Sequence, residues 1–148
     1  MESITHICRC LPLVMTIALL VGCGGKSSQV SGVVTLDGKP LERGTVGFTP
    51  VGGGLRAAGV IQTDGSYVLS TNRDAGLEAG EYAVTVVSRE PGPPNQDGPP
   101  MPGPYITPER YAVDSTSGLK YTVERGDNTI NIELSKDAAA PASASVSR

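Results

Sequence analysis

The residues able to do covalent or acid–base chemistry are few, and most lie at one end of the chain. Cysteines stand at Cys8, Cys10 and Cys23, and the only histidine is His6. A thiol can act as nucleophile, metal ligand, disulfide partner or lipid acceptor, and its neighbours decide which. Farther on, Ser117 and Lys120 are three residues apart, a spacing that lets a lysine activate a serine when both project from one helix. Ser117-Gly-Leu-Lys120 reads instead as the start of a strand, where positions three apart face opposite ways, and the companion Ser-Asp-Asn and Lys-Thr-Gly motifs are absent. Asp37 and Asp64 each precede a glycine, which favours turn chemistry over calcium binding, since a dedicated site needs a run of alternating oxygen ligands. Gly52-Gly-Gly54 has no helix behind it to supply aligned amides for a phosphate, and reads as an inter-strand loop.

The context of Cys23 sets the compartment. Arg9 is followed by the uncharged apolar run Leu11 to Val21, the order of an export signal, and the run is shorter than the roughly 20 apolar residues a transmembrane helix needs. Leu20-Val21-Gly22-Cys23 resembles the bacterial lipobox, which implies cleavage before Cys23 and lipid on its thiol and new amino group. Each buried methylene contributes about 0.8 kcal/mol, so two or three chains, palmitate among them, anchor firmly where one holds marginally. Residues 1–22 are therefore expected to be a lipoprotein signal peptide, with the protein tethered in the cell envelope. Gly24 follows the cysteine in place of the aspartate that resembles an inner-membrane retention signal, which favours the outer membrane.

That cleavage empties the chemical inventory. Cys8, Cys10 and His6 leave with the signal and Cys23 is acylated, so no thiol or imidazole remains for a disulfide, a zinc site or a Ser-His-Asp relay. Removing residues 1–22 from 148 leaves 126, enough for one hydrophobic core. The 12 basic and 15 acidic residues form no basic stripe, which argues against nucleic acid as a partner.

What must position any remaining site is a set of short strands. Residues 23–29 read as a tether. Alternation predicts strands over 30–36, 45–49, 56–62, 66–71, 80–88, 118–124 and 129–134, with Asp37-Gly38 and Asp64-Gly65 at positive-φ turns and 56–62 pairing with 66–71. Seven strands with close turns predict an all-β, antiparallel β-sandwich over 30–134. Residues 89–112 form a Pro/Gly-rich interruption, and the Ala/Ser tail 135–148 has little to bury and is expected to be disordered. Tyr67, Tyr82 and Tyr121 fall on inward faces, where the ring fills core and the hydroxyl finds a backbone partner. Tyr105 and Tyr111 flank the interruption and are expected to be exposed, as a binding surface for glycans or a partner protein.

Gly32-x-Val34, Asp37-Gly-Lys-Pro-Leu41, Val46-x-Phe48, Thr63-Asp-Gly-Ser-Tyr67-x-Leu69 and Gly80-x-Tyr82-x-Val84 together resemble the carboxypeptidase regulatory-like domain, a transthyretin (prealbumin)-like seven-stranded sandwich. The resemblance runs from about Val30 to Ser88, and the remainder resembles the closing part of short bacterial lipoproteins made of this one domain. The resemblance implies a structural spacer or carbohydrate-binding module, and with the emptied chemical inventory the leading expectation is a structural or interaction module that is not an enzyme and has no cofactor. A carbohydrate- or peptide-binding role for the 91–111 loop is the first alternative, and a hydrolase using Ser117 or a carboxylate the last.

Overall fold

A computed structural model describes residues 28–71, 76–95, 98–137 and 144–147, the last as backbone. The expected signal peptide, Cys23 and residues 24–27 of the expected tether lie outside the described residues. The fold takes hold earlier than the sequence reading placed it. Ser28 is fully buried, with its N–H and C=O both bonded to Leu77 at 2.7 Å.

Two sheets share one core. The first contains β1 (Gln29–Leu36), β2 (Lys39–Pro40), β5 (Ser66–Val68), β10 (Asp127–Leu134) and β11 (Ala144–Ser147). The second has the order β4 (Ala57–Ile61), β3 (Gly44–Pro50), β6 (Gly80–Val87), β9 (Leu119–Val123). Period-2 alternation places Val30, Val34, Ile130 and Ile132 of the first sheet in the same buried cluster as Val46, Phe48, Val84 and Tyr121 of the second. Phe48 packs between Tyr82 and Tyr121, with ring centroids 6.0 and 6.3 Å away. These rings dominate the apolar area that the fold removes from water.

All seven predicted strands are present, and their pairing departs from the prediction in two places. β1 and β10 run parallel, Gln29 opposite Asp127 through Leu36 opposite Leu134, so the structure is not wholly antiparallel. Alternation reports which face of a strand is buried and is silent about its neighbour's direction. Secondly, β4 and β5 are joined by the expected turn, yet β5 pairs with β1, placing Tyr67 opposite Gly32. The chain returns to β4 only at Ser70, which exchanges two backbone bonds with Ala58. The β4–β5 connection thus crosses from one sheet to the other.

Both aspartate–glycine turns form as read. Asp37 (φ 51) and Gly38 (φ 77) make the two-residue turn joining β1 to β2, where successive positive φ angles match the strand twist. Asp64 accepts from the Ser66 N–H at 2.9 Å and hydroxyl at 2.6 Å, and these bonds hold its carboxyl below the usual carboxylate range. Of the tail, β11 lies antiparallel beside β10, and Lys136 N–H donates to the Asp37 carboxylate at 3.1 Å.

Candidate functional site

The strand directions give the molecule two distinct ends. β1 and β10 finish at the end where β3 begins, where the 62–65 turn lies, and where β6 delivers the chain into the Pro/Gly-rich segment. The opposite end holds Ser28, the loop after Pro50 and the turn before β10. The Pro/Gly-rich segment that the sequence offered as a binding surface therefore starts from the end opposite Ser28 and the beginning of β1.

The Pro/Gly-rich segment is not a featureless loop. β7 (Arg89–Pro91) and β8 (Pro102–Tyr105) pair into a two-stranded ribbon, Arg89 opposite Tyr105 and Pro91 opposite Pro102. Gly92 and Gly103 make it possible, because a Cβ on either would overlap the backbone of the facing strand at Met101 or Glu90. The Arg89 guanidinium lies 3.6 Å over the Tyr105 ring centroid while Nη1 donates to the Gly103 carbonyl at 3.3 Å. Tyr105 is half-buried, with one ring face covered by Arg89. The arrangement presents a fixed guanidinium, a ring and the apolar tip residue Met101, which is 61% exposed.

Tyr111 corrects the sequence reading. It is 1% exposed, in a 3-10 turn (Glu109–Ala112), and is part of the core. Its hydroxyl accepts from Ser135 N–H and donates to Ser135 C=O, both at 3.3 Å, and Arg110 covers its ring at 4.5 Å. Arg110 also donates to the carbonyls of Ser135 and Asp137. Tyr111 thereby pins the chain after β10, and its ring is closed to any ligand.

At the foot of the ribbon a cleft of about 780 Å³ opens between the 37–43 and 62–65 turns. Lys39, Arg43 and Lys136 border it together with Asp37, Glu42, Asp64 and Glu90, and apolar surface is added by Leu41 and Ile106. Charges of both signs on an open cleft suit a polar, zwitterionic or peptide surface better than a single-sign ion.

Ser117 closes the one-turn helix α1 (Asp114–Ser117), rather than opening a strand as expected, and Gly118 in the left-handed region ends it. Its hydroxyl donates to Asp114 C=O at 3.4 Å and accepts from Leu119 N–H at 3.3 Å. Ser117 is buried and Lys120 is exposed on β9, so the structure does not bring the pair together. Gly52-Gly-Gly54 is an exposed loop. Of the inward tyrosines, Tyr67 and Tyr82 donate to Ile130 C=O at 2.7 Å and Glu78 C=O at 2.8 Å, whereas the buried Tyr121 hydroxyl has no hydrogen-bond partner among the described residues. Sequence reasoning missed Arg89. Its signal, an arginine facing an aromatic across a strand pair, is readable only once the ribbon is known.

No protein-family model, curated protein or solved structure matches this chain. The coarse result stands on its own geometry: a small, mostly β domain.

Proposed function

We propose that the chain is a lipid-anchored envelope protein whose β-sandwich, of the carboxypeptidase regulatory-like, transthyretin type, acts as a non-enzymatic structural or interaction module. The observation that carries this reading is the order of features along the chain: Leu20-Val21-Gly22-Cys23, then four residues before Ser28, the first of the described residues and one bonded into the fold. A lipid at Cys23 holds such a domain close to a bilayer and directs the ribbon and cleft outward, in the outer membrane by the reading of Gly24.

The family assignment draws support from how its motif residues meet. Gly32 of the first motif and Tyr67 of the fourth are register partners, and both aspartate–glycine motifs occupy positive-φ turns. These are fold-specifying roles, and they leave the ribbon free to vary. Envelope proteins or glycans are the partners to seek. The second reading, a carbohydrate- or peptide-binding protein, is favoured by the Arg89–Tyr105 stack, which presents donors and an aromatic surface without further ordering. Envelope extract passed over the mature domain, with a second bait whose residues 92–101 are replaced by a short turn, tests the interaction role. Recovery of partners that disappear with the ribbon supports it. Identical recovery by both baits removes the ribbon from the account.

A further inference from the structure

We propose that the Val51–Leu55 loop rests in the interfacial layer of the membrane that holds the Cys23 anchor, fixing which way the domain stands. The inference builds on the lipid-anchor reading. Val51-Gly-Gly-Gly-Leu55 is uncharged, and its two apolar side chains are 54% and 73% exposed, Leu55 the most exposed large hydrophobic residue of those described. The loop has a defined shape: Val51 N–H donates to Glu81 C=O at 2.9 Å, and Gly53 N–H returns to Pro50 C=O at 3.2 Å. Gly53 (φ 82) and Gly54 (φ 138) take conformations that other residues rarely adopt, so the bend carries no side chain between the two apolar ones. Arg56, the next residue, is folded back onto the sheet, where its Nη2 donates to Thr85 Oγ1 at 2.9 Å above Gly47. The cation that follows the loop in sequence is thus bonded to the sheet.

Position selects the occupant. The loop and Ser28 share one end of the molecule, and Ser28 is only five residue steps from Cys23, with four residues between them. At about 3.4 Å per residue this spans at most about 17 Å, so the end bearing Val51 and Leu55 is kept within reach of the bilayer. Two apolar side chains bind an interface weakly when alone, but the lipid already holds the domain there and supplies a high effective concentration. The other exposed apolar residues, such as Val60 and Val68 on the strands and Met101 on the ribbon, are on the flanks or the far end.

The test uses the full chain, processed in cells and reconstituted in phosphatidylethanolamine/phosphatidylglycerol vesicles carrying nitroxide-labelled lipid. An environment-sensitive thiol probe is placed at Leu55→Cys or, at the far end, Lys39→Cys, and palmitate incorporation into each variant is measured in parallel. With palmitate incorporated, the expected result is a blue-shifted probe at residue 55, quenched several-fold more than the probe at residue 39. Palmitate incorporation with equal or no quenching at the two positions overturns the loop proposal alone. No incorporation overturns the anchor and, with it, the loop proposal.

Discussion

The Tyr67 hydroxyl donates to the Ile130 carbonyl at 2.7 Å, passing over Gly32, which lies opposite Tyr67 in the β1–β5 pair. The parallel β1–β10 pairing skips Gly32 and Val33 here, and Asn131 Oδ1 accepts from Val33 N–H at 3.1 Å. Two side chains thus stand in for ladder bonds where the β1–β10 register is interrupted. A residue with a Cβ at position 32 would overlap the Ile130 carbonyl, so the first glycine of the motif is dictated by close approach.

Tyr67→Phe is expected to cost about 1–3 kcal/mol, the range for leaving a buried acceptor without its donor. Gly32→Ala forces the two strands apart and is expected to cost at least as much, since overpacking a tight site costs about 1–3 kcal/mol or more. Urea unfolding of the mature domain measures both. Wild-type stability in either variant contradicts this account of the β1–β10 junction.

Tyr121→Phe should behave differently. The Tyr121 hydroxyl is buried without a hydrogen-bond partner among the described residues, so removing it is expected to be neutral or stabilising at pH 7, in contrast to Tyr67→Phe. A loss of more than about 1 kcal/mol in the same unfolding assay would show that the hydroxyl makes a bond.

The same tyrosines set an alkaline limit. Burial, with a smaller contribution from Tyr121, raises Tyr67 far above its ordinary value, and burial followed by Glu133 and Tyr111 pushes Tyr121 up to about 12. Unfolded tyrosines titrate near 10. Above that pH the unfolded chain binds fewer protons than the folded one, so stability falls with rising pH. Below pH 10 the contribution is complete; it should decline from about pH 10 upward through 12, and Tyr121→Phe should make the decline shallower. Urea midpoints measured from pH 8 to 12 check this, and an equal slope in the variant contradicts it.

The ribbon is expected to be dispensable for folding. None of the described residues of its tip, between Gly92 and Met101, belongs to the buried cluster, so replacing 92–101 by a short turn should shift the melting temperature by only a few degrees. Collapse of the fold on shortening would make the ribbon a structural element instead of a displayed one.

How much of this was legible follows from what each residue pattern encodes. Val46 and Phe48, or Leu119, Tyr121 and Val123, alternate cleanly because one face of their sheet is buried, and those strands were readable to within about two residues. Asp37-Gly38 was readable because few other residue pairs take two positive φ angles in succession. The parallel direction of β10 was not, since alternation carries no partner. β7 and β8 escaped because their prolines suppress the strand signal, although Pro91 and Pro102 sit at the ribbon's outer pairing, where a lost N–H matters least. Tyr111 looked exposed because its burial depends on Ser135 and Arg110, contacts that no local pattern announces.

The central claim concerns Cys23, and metabolic labelling with palmitate during expression of the full chain tests it most directly. Wild type is expected to incorporate label and remain with membranes through a carbonate wash, while Cys23→Ala takes up none and is released. Absence of label from the wild type, together with Cys23→Ala still fractionating with membranes, would contradict the account.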